Sequence, residues 1–426
     1  MGDGAARSTS RVVSPGVSLD PWRDRYAERA QGMIASEVRA LFAVASRPEI
    51  VSLAGGMPAV DALPMDAVAA TVAEVVTLRG AVALQYGSAQ GDPGLRARIC
   101  DVMALEGITD AHPDHVVVTA GSQQALDLLT RVFINPGDVV LTEGPTYVTA
   151  INTFAAYQAR IVHVPLDTEG LSPAGLAETL ARLAAAGAQV KMLYTVPTFQ
   201  NPGGVTLSAA RRAEVVEICR RAGVLVVEDN PYGLLAFDGE PVRAMRADAP
   251  DDVVYLGSFS KTLAPGMRVG WALAPPAVTA RLVLAAESAV LSQSMFTQLA
   301  VDRYLETQPW AQQLKGLRDL YRERRDAMLD ALTETMPDGA SWTRPDGGFF
   351  VWLTLPDGID TKAMLPRAIA ARVAYVPGIG FYADGSGRQA MRLSYCYPPP
   401  DRVRDGVGRL ARVVRAELEL RDTFRT

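Results

Sequence analysis

Cysteine and histidine are scarce in this chain of 426 residues, at three copies each. Lysine is nearly as rare: of 42 basic residues only Lys191, Lys261, Lys315 and Lys362 are lysines, and the rest are arginine. Cys100, Cys219 and Cys396 stand far apart with no paired spacing, which argues against a disulfide framework or a zinc-binding knuckle. They read as buried free thiols in a reducing compartment, the first two on helical patterns and Cys396 on a strand pattern. His112 and His115 precede a strand as His-Pro-Asp-His with no other His or Cys near them, so they read as a surface turn and no metal is expected. No apolar run approaches bilayer length, and residues 1–20 lack the apolar segment of a secretory signal. The net charge of −5 gives no electrostatic reason to expect nucleic acid or an anionic membrane as a partner. The expected location is cytoplasmic.

Hydrophobic residues make up 49% of the chain and charged residues 21%, the balance of a folded protein able to bury a large core. Apolar β-rich runs recur at 116–119, 139–143, 161–165, 190–196, 224–228, 253–258 and 269–274. Most are continuous Val/Ile/Leu runs without polar alternation, the pattern of strands covered on both faces. Helical patterns fit between several of them, at 122–134, 173–186 and 208–222. The alternation predicts an α/β fold: a mainly parallel seven-stranded sheet with helices on both faces. A long helical run from 297 to about 336, β-rich stretches at 349–355, 374–376 and 391–395, and a helix over 401–421 predict a smaller α+β unit. The expected division is a flexible tail at 1–20, an N-terminal segment at 21–64 shared with the small domain and the active site, a large domain at 65–300 and a C-terminal small domain at 301–426.

Ligands of open α/β sheets collect beyond the carboxyl ends of the strands. Past 116–119 comes Ala120-Gly121-Ser122-Gln123-Gln124, a small-residue turn opening a helix, where backbone amides and the Ser122 hydroxyl can hold a phosphate. Past 139–143 comes Gly144-Pro145-Thr146-Tyr147, which offers a ring able to stack on a planar group. Past 190–196 comes Gln200-Asn201-Pro202, and past 224–228 comes Asp229-Asn230-Pro231-Tyr232. Past 253–258 comes Lys261, in Ser258-Phe259-Ser260-Lys261, with Arg268 seven residues on. Arginine can replace lysine as a charge but cannot form a Schiff base, so a lysine kept among small and apolar neighbours is a candidate imine former. A phosphate cradle, a stacking ring, an amide, a carboxylate with a tyrosine and an imine-forming amine are together the parts pyridoxal phosphate needs. Asp229 would keep a pyridinium nitrogen protonated, and Ser258, Ser260 and Arg268 would surround the phosphate.

Those blocks resemble the fold-type-I pyridoxal-phosphate aminotransferases of class I and II. Ser52-Leu53-Ala54-Gly55-Gly56-Met57-Pro58, Leu84-Gln85-Tyr86-Gly87 and Met391-Arg392-Leu393-Ser394-Tyr395 are similar to the 2-aminoadipate and kynurenine aminotransferase branch. The resemblance runs from about Ser36 to about Arg415. It implies pyridoxal 5′-phosphate as cofactor and a homodimer with shared active sites. It also implies a transfer of the amino group from an L-amino acid to a 2-oxo acid such as 2-oxoglutarate, by ping-pong chemistry. Carried over by position, Lys261 matches the internal-aldimine lysine and general base, and Asp229 the partner of the ring nitrogen. Tyr232 and Asn201 match donors to O3′, and Tyr147 matches the stacking ring. Ser122, Gln123, Ser258, Ser260 and Arg268 match the phosphate shell, with Tyr86 reaching across from the other subunit. Arg392 matches the arginine that grips the substrate α-carboxylate, Arg39 a substrate-side arginine on a mobile helix, and Gly56 and Asn201 further substrate contacts. Gln90-Gly91-Asp92-Pro93 and Ser292-Gln293-Ser294-Met295 depart from the family pattern, which leaves elimination, replacement or oxidase-type chemistry on the same scaffold as the alternative. Transcriptional regulators that carry such a domain behind a winged helix need a basic N-terminal domain, which this sequence does not show.

Overall fold

The computed structural model describes residues 20, 22–31, 41 and 47–425. The strands, in chain order, are β1 (Val51–Ser52), β2 (Val116–Thr119), β3 (Val139–Gly144), β4 (Arg160–Asp167), β5 (Gly170–Leu171), β6 (Val190–Thr195), β7 (Leu225–Asp229), β8 (Val253–Ser258) and β9 (Gly270–Leu273), followed by β10 (Ser341–Trp342), β11 (Phe350–Thr354), β12 (Val373–Ala374), β13 (Val376–Pro377) and β14 (Ala390–Ser394). The large sheet runs β2-β9-β8-β7-β6-β3-β4-β5. Pairings from β8 through β7, β6 and β3 to β4 are parallel, while β9 lies antiparallel between β2 and β8. The sheet thus has eight strands where the apolar runs predict seven. The eighth, β5, pairs antiparallel with β4 over two residues and is too short to leave a periodic signal.

Continuous apolar strands need cover on both faces, and the core divides accordingly into two layers. One gathers Leu126, Leu129, Val117, Phe154, Tyr194 and Trp271, and the other Leu141, Leu176, Leu183, Leu193, Val215 and Val226. Helix ends follow local chemistry. Ser172 and Asp92 accept the backbone N–H of Gly175 and Leu95 at their helix starts. Gly223 ends its helix in the left-handed region that a side chain resists. The long run expected over 297–336 is two helices, Met295–Thr307 and Trp310–Thr335. Pro309 lies at the join, where its missing N–H and the restriction it puts on Gln308 stop the first helix.

The smaller sheet runs β10-β11-β14-β13. Arg392 sits in its middle, opposite Trp352 on β11 and Val376 on β13. Parallel pairing of β1 with β12 and the bond from Ser394 N–H to Leu53 O bring the Ala54–Gly56 turn beside β14. Cys396 lies just past β14 and not within a strand, and all three cysteines are free. Among the described residues, no helix is long and apolar enough to cross a membrane and no His, Cys, Asp or Glu cluster could hold a metal.

Candidate active site

Strands β2, β3, β6, β7 and β8 point the same way, so the segments that follow them emerge along one edge of the sheet. β9 runs the other way, which returns Arg268 to that same edge. A cavity of about 470 Å³ opens there, lined by Gly56, Ser122, Gln123, Tyr147, Asn201, Asp229, Tyr232, Ser258, Ser260, Lys261, Arg268 and Arg392. Segments separated by more than three hundred positions in sequence therefore meet in one space. Tyr86 does not line it. It is 77% exposed on this chain. Arg39 lies outside the described residues.

Lys261 donates to Gly56 O at 2.9 Å, with its ammonium 5.7 Å from the centre of the Phe349 ring. Burial opposes the charged form and lowers Lys261 to about 8. Asp229, at the end of β7, is 4% exposed and accepts the Tyr194 hydroxyl at 2.8 Å through Oδ2. Its Oδ1 is buried without a partner among the described residues. Burial pushes Asp229 up to about 6, against the pull of hydrogen bonds from Tyr194 and Ser122. A buried carboxylate with one oxygen unpaired is a site for a cationic N–H donor.

At one end of the cavity the chain is shaped for a small anion. Ser122 opens the helix Ser122–Phe133 behind Gly121, whose φ of 83° is a conformation glycine adopts freely. The free amides of that first turn and the helix dipole attract negative charge. Arg268 is itself left-handed, at φ 52°, and donates to Ala120 O, which fixes its guanidinium beside the turn. The Ser258 hydroxyl donates to Ser260 Oγ at 2.8 Å and accepts from Ser260 N–H at 3.1 Å. Gln123 keeps a buried Oε1 without a partner among the described residues, while its amide nitrogen donates to Thr153.

At the other end sits Arg392, 3% exposed. It donates to Asn201 Oδ1 at 2.9 Å and to Ala54 O at 2.7 Å, and its guanidinium lies 4.1 Å from the centre of the Phe350 ring. Burial lowers it to about 10, which leaves it cationic at neutral pH. A fixed planar cation with further N–H groups available fits a carboxylate. A side chain at Gly56 would approach Phe350 to 2.9 Å, so glycine keeps this wall open. Tyr232 is buried edge-on to Phe349 and Phe350.

Several lining residues escaped the reading of the sequence, Tyr194, Thr149 and Phe350 among them. Tyr194 lies inside an apolar strand and reads there as core. Its only signal is a polar tip in a strand otherwise covered on both faces, and its partner Asp229 is 35 positions away.

Anion cradle, buried carboxylate, poised amine and fixed guanidinium match the phosphate, ring nitrogen, carbonyl and amino-acid ends of a pyridoxal-phosphate enzyme with its substrate. The unpaired Asp229 Oδ1 is where the residues present fit that cofactor most clearly. Residues 48–410 match the model of aminotransferase class I and II. An aromatic-amino-acid aminotransferase of Thermococcus litoralis is 43% identical, covering 97% of this chain and 99% of the relative. A 2-aminoadipate transaminase of Thermus thermophilus is 37% identical over 94% and 98%. The crystal structure of Pyrococcus horikoshii kynurenine aminotransferase, in complex with PMP, superposes with a TM-score of 0.90 at 41% identity, covering 94% of this chain and 99% of that one. The chain therefore belongs to the class I and II aminotransferases, pyridoxal-phosphate-dependent enzymes of fold type I.

Proposed function

We propose that this aminotransferase carries an amino group from an L-amino acid to a 2-oxo acid, 2-oxoglutarate among them, in two successive half-reactions at one site. The observation that carries the reading is that one cavity holds both a lysine lowered to about 8 and, among the described residues, a single buried arginine suited to a carboxylate. Amino donor and oxo acceptor each carry an α-carboxylate. With one arginine to bind it, they take turns.

When bound, pyridoxal phosphate supplies a carbonyl that takes the amino group and a ring that spreads negative charge. Ser122, Gln123, Ser258, Ser260 and Arg268 hold its phosphate, and Tyr147 covers its ring. Asp229, kept in place by Tyr194, holds the proton on the ring nitrogen. Tyr232 and Asn201 donate to the ring oxygen. Arg392 orients the substrate carboxylate, with Asn201 and Gly56 beside it, so that the substrate Cα faces Lys261 Nζ. Lys261, cationic and neutral in comparable amounts near pH 8, can take a proton from that carbon and give one back. In this reading residues 65–300 are the cofactor-binding domain and 301–426 the C-terminal small domain, with 21–64 contributing to the small domain and the active site.

The relatives named above act on aromatic amino acids, 2-aminoadipate or kynurenine by their names, which supports a donor range that includes aromatic and acidic side chains. A homodimer is part of the proposal. Leu78, Val82, Leu84 and Tyr86 expose 69%, 47%, 77% and 77% of their surfaces along and just past the helix Met65–Ala83, an apolar row that a second subunit would cover. Three free thiols suit a reducing compartment, and we place the enzyme in the cytoplasm.

The test is a scan of L-amino acids against 2-oxoglutarate and pyruvate, with the visible spectrum of the protein followed in each half-reaction. Donor alone should convert the spectrum once, and acceptor alone should restore it. Borohydride should fix the cofactor to a Lys261 peptide. Release of ammonia with no need of an acceptor would replace this reading with elimination chemistry.

A further inference from the structure

The reaction leaves unexplained one fully buried carboxylate close to the cavity. Glu143, at the end of β3, is 1% exposed. Its Oε1 accepts the Thr195 hydroxyl at 2.5 Å, and its Oε2 accepts Val196 N–H at 3.2 Å and Gln200 Nε2–H at 3.0 Å. Among the described residues no cation pairs with it. Burial pushes it up to about 7, so the fold tolerates a costly group here for the sake of its acceptors.

Gln200 shows what those acceptors serve. It is 1% exposed, and both hydrogens and the oxygen of its side-chain amide are engaged. Nε2 donates to Glu143 and to Pro145 O at 2.8 Å, while Oε1 accepts Gly203 N–H at 2.5 Å. One amide thus ties the end of β3 and the turn that follows it to the turn after β6. The first turn leads two residues on to Tyr147. The second holds Asn201, whose Oδ1 takes a guanidinium hydrogen from Arg392. Neither Glu143 nor Gln200 lines the cavity.

We propose that Glu143 and Gln200 are a positioning pair that sets where Tyr147 and Asn201 stand in the cavity and, through Asn201, the aim of Arg392. The proposal rests on the reading of Asn201 and Arg392 as cofactor and substrate contacts. The carboxylate is suited to the task because, from the end of β3, it accepts from three donors at the end of β6 and in the turn that follows it, the Thr195 hydroxyl, Val196 N–H and Gln200 Nε2–H. Glutamine in its place would turn an N–H group toward at least one of them. The cost would fall on placement, since shape and volume are kept.

The experiment compares five variants of the holoenzyme: Glu143→Gln, Gln200→Ala, the two combined, Asn201→Ala as reference, and Leu183→Ala as a control that loses core stability without lining the cavity. Two readouts are taken, the pH midpoint of the bound cofactor's visible absorbance, and KM against kcat for an amino donor. Glu143→Gln and Gln200→Ala should both move the midpoint in the direction that Asn201→Ala moves it, by about half a pH unit or more. They should also raise donor KM about five- to tenfold, the scale of a misplaced hydrogen bond to a charged group. The double variant should fall well short of the two effects summed, because the pair acts as a unit. Wild-type values in Glu143→Gln, with Asn201→Ala shifted, would overturn the positioning role and leave the site assignment standing. An unshifted Asn201→Ala would instead overturn the site assignment and the inference with it. Equal shifts in Leu183→Ala would reduce the effect to lost stability and also overturn it. Should Glu143→Gln not fold, Gln200→Ala decides on the same readouts.

Discussion

Burial moves Lys261 down to about 8 and Asp229 up to about 6, so two groups that line the cavity, and that the proposed reaction sets around the cofactor, are both poised near neutrality. Asp229 must be ionised to hold a proton on a ring nitrogen, and hydrogen bonds from Tyr194 and Ser122 oppose the upward push of burial. Tyr194→Phe removes the first of these bonds and leaves the apolar contacts in place. The carboxyl then moves further up, and the acid limb of cofactor affinity should move with it toward higher pH, by about one unit for a lost bond to a charged group. Titration of the apoenzyme with pyridoxal phosphate across pH checks this. An unchanged limb would mean that Ser122 suffices. Arg392 makes a different prediction. In the proposed reaction it binds the α-carboxylate, so Arg392→Ala should weaken every amino donor alike, by about 2–5 kcal/mol in kcat/KM. A loss confined to donors with a second carboxylate would move Arg392 from the α-carboxylate to the side-chain end of the pocket.

Strand ends explain why so much of this site was legible in the sequence. The runs at 116–119 and 253–258 coincide with β2 and β8, and the other large-sheet runs end within two residues of their strands, because residues covered on both faces are apolar without alternation. Knowing the ends locates Ser122, Tyr147, Asn201, Asp229 and Lys261, which stand at those ends or in the segments just past them. What the sequence hid depends on contacts between distant segments. Tyr194 lines the cavity and reaches Asp229 only because β6 lies next to β7. The run at 374–376 becomes two strands because Val373–Ala374 pairs with β1 and Val376–Pro377 with β14. The same adjacency sets a limit on the anion cradle. A methyl at Gly270, the first residue of β9, would meet the backbone of Gly121 at 2.5 Å and Ser122 N at 2.6 Å. Backbone cannot swing aside as a side chain can, so Gly270→Ala must push the helix start away from the strand. Overpacking of this kind costs about 1–3 kcal/mol, and here part of it should appear as weaker cofactor binding, about tenfold or more, and part as a lower melting temperature. A melting loss with cofactor affinity intact would show that β9 yields and the cradle does not.

At the scale of the whole molecule, the two sheets divide the work. The large sheet brings the anion cradle, Asp229 and Lys261 to one edge, while β14 of the smaller sheet carries Arg392 and fixes it to Ala54 O and Asn201 across the gap. Tyr86 has no part in this arrangement on a single chain. It stands exposed beside Leu84, past a helix whose other face packs Val75 and Ala83 against Met295 and Leu299. A tyrosine and several large apolar residues left in water on one side of a well-packed helix call for a covering surface. In the proposed dimer the partner subunit supplies it, and each Tyr86 then serves the other chain's cavity. Mixing gives a direct test. A Lys261→Ala chain keeps its own Tyr86, and a Tyr86→Ala chain keeps its own Lys261, so each is inactive alone for a different reason. In a hybrid dimer the cavity of the second chain holds Lys261 from itself and Tyr86 from the first. Random exchange makes about half of the dimers hybrid with one intact site in each, so activity should return to about a quarter of the wild-type level. Exchange can be followed independently by labelling one chain. If labelled hybrids form and no activity returns, Tyr86 acts within its own chain or not at all, and the apolar row covers an interface that leaves the two sites separate.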